Sequence, residues 1–248
     1  MTSPRVAIFA ALRWECRPVL RHLREVRRDR LGHFPAWAGR ARHGEAVLVQ
    51  TGIGETHAGA AADAVSAAGP FSLFLSTGCA GALSPDLGPG DLALATAVVS
   101  SASGTCIATD DPTTDRARSV AARLPMRTVC GPILCSPRVL HSAAAKRDAG
   151  ARTGAVAVEM EGAAIGARAD QDHVPFAAVR AILDTADTDL HQSGDFIDPA
   201  TGRVRPFELA RHLAHHPGAI TELLVLRRML RAAEQSLDQF FAAFLWEQ

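Results

Sequence analysis

The chain predicts an α/β fold, a three-layer α/β/α arrangement around a central, mostly parallel mixed sheet. Three observations predict it. Apolar runs of strand length recur between alanine-rich helical stretches. With 48% hydrophobic residues, 248 positions suffice for one large domain with a sizeable core. Three carboxylates also stand at the ends of two apolar segments between Ala155 and Asp187, and the carboxyl ends of parallel strands are where α/β sheets bind ligands.

The elements follow in order. Arg5 to Ala10 reads as a first strand and Trp14 to Arg28 as a helix, with Arg21, Arg24, Arg27, Arg28 and Arg30 on a solvated helix face. Ala46 to Gln50 is a second strand, ending in the turn Thr51-Gly52-Ile53-Gly54, and His57 to Ala68 is a helix. Leu73 to Ser76 is a strand. The stretch that follows, Ser76 to Leu83, reads as a glycine turn whose backbone N–H groups can approach a ligand closely. Leu92 to Ser100 is a further strand, and Ser101 to Asp115, rich in Ser, Thr and Asp, is expected to be a mobile loop.

Val156 to Val158 reads as a short buried strand end, after which Glu159-Met160-Glu161 opens a helix. Gly162, Ala163, Ala164, Gly166, Ala167 and Ala169 give that helix almost no bulk, so it can lie against the sheet with its N-terminus pointing into the cleft. Phe176 to Leu183 is a strand stopping at Asp184. Residues 1–190 form the expected main domain, and 191–248 a helical extension packed on it. In that extension Leu223, Leu226, Leu230, Ala233, Leu237, Phe240 and Phe244 follow helical spacing.

Composition narrows the function classes. With 26 basic and 26 acidic residues, the chain carries no electrostatic footprint for nucleic acid. Cys16, Cys79, Cys106, Cys130 and Cys135 are odd in number and form no CxxC pair, which argues against a disulfide framework or a zinc site. The N-terminus does not read as a signal peptide, and the apolar run Val6 to Leu12 is too short to span a bilayer, so a soluble cytoplasmic protein is expected.

Taken singly, Glu159 and Glu161 would serve a helix dipole and Asp184 a turn. Together, the pattern VEME followed by VR.ILD.AD resembles the nucleoside phosphorylase superfamily, especially its methylthioadenosine/S-adenosylhomocysteine nucleosidase branch, over about residues 5 to 190. The resemblance implies cleavage of a purine N-glycosidic bond without metal or organic cofactor. That chemistry builds positive charge on the ribosyl ring while negative charge moves onto the base, so it asks for a proton donor to the purine and a carboxylate beside the sugar. Asp184 matches the acid acting at N7, Glu15 the base contacting the attacking water, and Glu161 the acceptor of ribose hydroxyls. Met160 packs under the sugar, next to Glu159.

Cys79, Ala80 and Gly81 fall in a turn similar to the family's TGSAG segment, with cysteine where serine is common, and the Cys79 thiol is expected to be no nucleophile. Base recognition falls to backbone around Arg138 and Val139, in a segment without aromatics. Leu183 replaces a small hydroxyl residue that helps hold the family's aspartate, and Arg180 is expected to support neighbouring acids. Ser76 stands where phosphorylases place an arginine for phosphate, so water is favoured over phosphate as co-substrate, with Arg13 the one residue able to reverse this.

The segment HHPGAITELLVLRRML resembles the tail of hopanoid-associated phosphorylases. This opens two readings of the C-terminal stripe: packing on the core or a second subunit, or a lipid-like 5′ surface with peripheral membrane contact beside Arg227, Arg228 and Arg231. The expectation is therefore a homo-oligomeric nucleosidase taking a nucleoside with a large or apolar 5′ group, such as a methylthioadenosine-like or adenosylhopane-like one. The alternatives are a phosphorylase and a non-catalytic nucleoside sensor.

Overall fold

The structure, a computed structural model, describes residues 4–42, 44–189 and 219–246. Its order is β1 (Arg5–Ala10), α1 (Arg13–Leu20), β2 (Arg24–Leu31), β3 (Phe34–Ala41), β4 (Gly44–Gln50), α2 (Glu55–Ala67), β5 (Leu73–Ala82) and β6 (Leu92–Ser100). There follow β7 (Cys106–Ala108), α3 (Asp111–Ala121), β8 (Thr128–Cys135), α4 (Ala143–Thr153), β9 (Ala157–Glu159), α5 (Gly162–Gln171), β10 (Phe176–Asp184) and α6 (Ala219–Phe244).

All ten strands join one mixed sheet, in the order β10-β6-β8-β9-β5-β1-β4-β3-β2 with β7 on β6. Because β10 also pairs with β5, strands β5, β9, β8, β6 and β10 close into a ring. Closure removes free edges from this half of the sheet, so the strand ends that carry the carboxylates are fixed on both sides. The other half is the meander β2-β3-β4, joined in parallel through β1.

Side chains alternate across the sheet and divide the core in two. Ala7, Phe9, Val47 and Val49 meet α2 and α5 on one face, whereas Ile8, Ala10, Leu48 and Leu75 meet α1, α3 and α6 on the other. α5 lies as close as its composition allows: a Cβ on Gly166 would come 2.8 Å from Phe176 Cε1 and 3.0 Å from Ile107 Cγ2.

Several expectations are corrected. The predicted helix from Trp14 to Arg28 ends at Leu20, and Arg24, Arg27, Arg28 and Arg30 lie on β2. β2 is an exposed edge strand whose charges suit a position open to other chains' edges, so it has no apolar alternation to announce it. Ser76 to Leu83 is not a turn, since β5 runs through to Ala82 as part of the ring. The expected loop from Ser101 to Asp115 contains β7 and the start of α3, which Asp110 caps by accepting from the Thr113 amide at 3.0 Å.

The C-terminal stripe packs on the core. Ala233, Leu237, Phe240, Phe241 and Phe244 are buried in the second cluster, and Phe240 stacks on Phe244 with centroids 5.1 Å apart. These side chains therefore do not form a lipid-accepting surface. The side chain of Leu223 and the linking residues 190–218 lie outside the described residues. Among the described residues no helix is long and apolar enough to cross a membrane.

Phe240→Ala is expected to cost about 3–5 kcal/mol of stability, through lost burial plus the cavity it leaves. Leu224→Ser, at a position 60% exposed on the same helix, is expected to change stability by less than about 0.5 kcal/mol. Denaturant unfolding of both variants checks this, and equal small shifts would show that α6 is not part of the core.

Candidate active site

The ends of β5, β9 and β10 and the starts of α1 and α5 surround a cavity of about 230 Å³. Glu15, Cys79, Ala80, Gly81, Arg138, Val139, Glu159, Met160, Glu161 and Asp184 all line it, together with Trp14, Ile53, Lys146 and Leu183. The structure thus gathers the ten residues singled out from sequence around one space.

Glu15 sits in the first turn of α1, and its carboxylate is fixed from two directions. Oε2 accepts from the Leu12 amide at 2.8 Å, the reach-back of a helix start, and Oε1 accepts from the Cys79 amide of β5, also at 2.8 Å. Gly78 makes this approach feasible: a Cβ there would fall 2.8 Å from Glu15 Oε1, and its φ of +146° is one that side chains rarely adopt. Burial pushes the Glu15 carboxyl up, while the amide donors and the Arg180 charge pull it back.

At the β9–α5 junction the sequence reading needs refinement. Glu159 turns inward, accepting from the Glu161 amide at 2.9 Å, from the Gly162 amide at 2.8 Å and from Arg180 at 2.6 Å. It neutralises the start of α5, so the helix N-terminus that was expected to face a ligand is already satisfied from inside. Glu161, two residues on, accepts from the Gly54 amide at 2.7 Å, which gives the Gly52–Gly54 turn a place in the site. Burial first, and then the negative charge of Glu159, hold the Glu161 carboxyl above the ordinary range.

Arg180 of β10 is 1% exposed and binds Glu159, the Ser76 hydroxyl at 2.7 Å and the Val179 carbonyl at 3.2 Å, whereas its Nε has no partner. It does support neighbouring acids, and its charge also reaches Glu161 and Glu15. Cys79 is half-buried beside the Glu15 carboxylate, and desolvation together with that charge holds its thiol well above the usual range, as an inert group rather than a nucleophile. Arg138 and Val139 sit in the loop after β8, where the Arg138 carbonyl accepts from the Ser136 hydroxyl at 2.7 Å.

Asp184 ends β10 against Gly81, where a Cβ would lie 3.3 Å from Oδ2. Its carboxyl is raised by burial, and the raise is offset by Lys146. Lys146, from α4, was not singled out in the sequence. It stands on the buried stripe Ala143-Lys146-Ala149, and a lysine at apolar helical spacing was the signal available. Arg13 lies outside the cavity, on an outer groove with Arg28, Asp29, Arg30 and Trp37.

Comparisons with known proteins agree with the fold that carries this cavity. The family model of the phosphorylase superfamily matches residues 5–205. An S-adenosylhomocysteine nucleosidase from Streptococcus pyogenes, solved with 5-methylthiotubericidin, superposes with a TM-score of 0.74 at 20% identity over 98% of both chains. A 5′-methylthioadenosine/S-adenosylhomocysteine nucleosidase from Neisseria meningitidis, bound to methylthio-immucillin-A, gives 0.74 at 22% identity over 96% of both. A futalosine hydrolase mutant from Helicobacter pylori gives 0.66 at 25% identity, covering 72% of this chain and 89% of its own. No curated protein sequence matches.

Arg180→Met, similar in volume, is expected to lower stability by about 3–5 kcal/mol because it leaves Glu159 charged and unpaired in the interior. Adding Glu159→Gln should recover a substantial part of the loss. Chemical denaturation of both variants measures it, and a harmless single variant would show that the pair is not an electrostatic unit.

Proposed function

The chain belongs to the phosphorylase superfamily, and we propose that it hydrolyses the N-glycosidic bond of an adenine-type nucleoside. The observation that carries this reading is that Glu15 and Asp184, a candidate base and a candidate acid, line one cavity and lie against Gly78 and Gly81 of the same strand. Those glycines stand three positions apart on the strand, a rise of roughly 10 Å, so the two carboxyl groups meet the strand at separate points of one cavity.

In the proposed step the Asp184 O–H bond breaks as N7–H forms. The C1′–N9 electron pair leaves with the base, the water oxygen bonds to C1′, and the water proton passes to Glu15. Glu161 accepts hydrogen bonds from the ribose hydroxyls, and Met160 lies under the ring. Three carboxylates around one buried arginine suit a sugar that becomes cationic.

Water is favoured over phosphate for three reasons on the same strand ends. The Cys79 and Leu12 amides are taken by Glu15, the start of α5 is taken by Glu159, and Arg13 stands on another surface. An incoming dianion would meet Glu15, Glu159, Glu161 and Asp184, with Arg138 the one arginine among the described lining residues. α6 contributes none of the described residues lining the cavity, so the proposal takes a methylthioadenosine-like 5′ group over a lipid-like one. A cytoplasmic homo-oligomer, as the family resemblance implies, completes the reading.

Wild-type protein is expected to release adenine from 5′-methylthioadenosine in phosphate buffer and to yield a free, unphosphorylated sugar by mass measurement. Asp184→Asn should lower turnover by about 100-fold or more while retaining nucleoside binding. A sugar 1-phosphate as main product would refute hydrolysis in favour of phosphorolysis, and wild-type binding without turnover would make the protein a nucleoside sensor.

A further inference from the structure

Lys146 is 1% exposed in its side chain and pairs with Asp184. Its ammonium donates to Asp184 Oδ2, to the Thr185 carbonyl at 3.0 Å and to the Thr188 carbonyl at 2.8 Å, which uses all three of its protons. α4 fastens the same segment twice more. The Ala143 amide donates to Asp189 Oδ1 at 2.7 Å, and Arg147 donates to Asp187 at 2.9 Å.

We propose that Lys146 is the positioning residue of the glycosidic acid, holding one oxygen of Asp184 so that the other carries and delivers the proton. This rests on the acid role proposed above for Asp184. An ammonium only donates, and the carbonyl oxygen of a carboxylic acid is its better acceptor, so the oxygen that Lys146 holds is the carbonyl one and the acidic proton is favoured on Oδ1. When that proton passes to N7, the carboxylate left behind is already paired with a fixed cation, which stabilises charge that forms only as the bond breaks. Lys146 keeps its three protons throughout. It also supplies the anchoring that a hydroxyl at position 183 cannot, since Leu183 has none.

The other ionisable groups lining the cavity with Asp184 are Glu15 from α1, Cys79 from β5, Arg138 in the loop after β8, and Glu159 and Glu161 at the β9–α5 junction, with Arg180 buried on its own strand. Burial favours a protonated Asp184, and Lys146, in direct contact with it, is the charge that opposes this. The sign follows. The reaction needs Asp184 protonated, so activity falls as pH rises through its titration, and removing the ammonium moves that limb to higher pH.

The test uses Lys146→Met and Lys146→Arg in the full chain, with the Asp184 carboxyl followed by ¹³C NMR of aspartate-labelled protein. Lys146→Met is expected to raise the Asp184 titration by about one pH unit or more. It should move the basic limb of kcat/KM the same way and lower kcat on 5′-methylthioadenosine by about 100-fold. On 4-nitrophenyl β-ribofuranoside, whose leaving group needs no proton, the loss should be at least about tenfold smaller. Lys146→Arg, which keeps the charge, should leave the Asp184 titration near wild type and recover part of kcat even if Lys146→Met folds poorly. Equal losses on both substrates with an unmoved Asp184 titration would overturn the proposal and leave Lys146 as a tether of residues 185–188. A wild type that cleaves neither substrate would instead overturn the functional reading and the catalytic part of this one with it.

Discussion

The pairing of Arg180 with Glu159 is the contact on which the remaining geometry depends. Arg180 comes from β10, Glu159 from the end of β9, and the Ser76 hydroxyl that shares the guanidinium from β5, so one buried cation joins three strands of the closed ring. Neither charge can be removed alone without leaving the other in a medium that solvates it poorly. The same Glu159 carboxylate caps α5, which fixes where Glu161 emerges. A buried ion pair is seldom the most stabilising choice, and similar packing could be achieved with apolar side chains. What apolar residues could not do is leave further carboxylates ionisable at the surface of the same cavity.

Glycine does complementary work on β5. Gly78 and Gly81 are the points where Glu15 and Asp184 come against the strand: a Cβ at Gly78 would force the Glu15 carboxylate to shift, and one at Gly81 would press on that of Asp184. Glu15 is then held by amides from two separate elements, which lowers the cost of keeping it charged in a buried place. Asp184 is held by a lysine. The two carboxyl groups thus share a cavity but differ in what holds them, and such a difference is what separates the duties of a base and an acid.

Much of this was legible in the sequence. The apolar runs of β1, β4, β6 and β10 announced themselves because buried strands need continuous hydrophobic residues. The run of small residues from Gly162 to Ala169 likewise implied the close approach that Gly166 makes to Phe176. What stayed hidden has physical causes. β2 is exposed along nearly its whole length, and an edge strand made of charges has neither alternation nor apolar content to separate it from a helix face. β5 passes through Gly78 and Gly81 without breaking, because its hydrogen bonds come from β10, β9 and β1, and local propensity cannot report such partners. Lys146 was hidden differently. In AAAKRDAG a lysine looks like ordinary surface, and only the register of Ala143 and Ala149 places it inward.

The electrostatic balance of the cavity also bears on which nucleophile it can accept. Fields in a small buried space are screened less than at a surface, so each carboxylate counts for more there. Arg180 is buried and turned to Glu159, Ser76 and Val179, and Lys146 gives all three protons to Asp184 and two carbonyls, which leaves Arg138 at the mouth, among the described lining residues, as the cation open to an incoming anion. The backbone amides that could have formed an anion site are likewise turned toward Glu15, Glu159 and Glu161. A neutral water asks for none of these donors. It needs only an acceptor for its proton, and in the proposed reading that is Glu15, whose two oxygens are already oriented by the Leu12 and Cys79 amides.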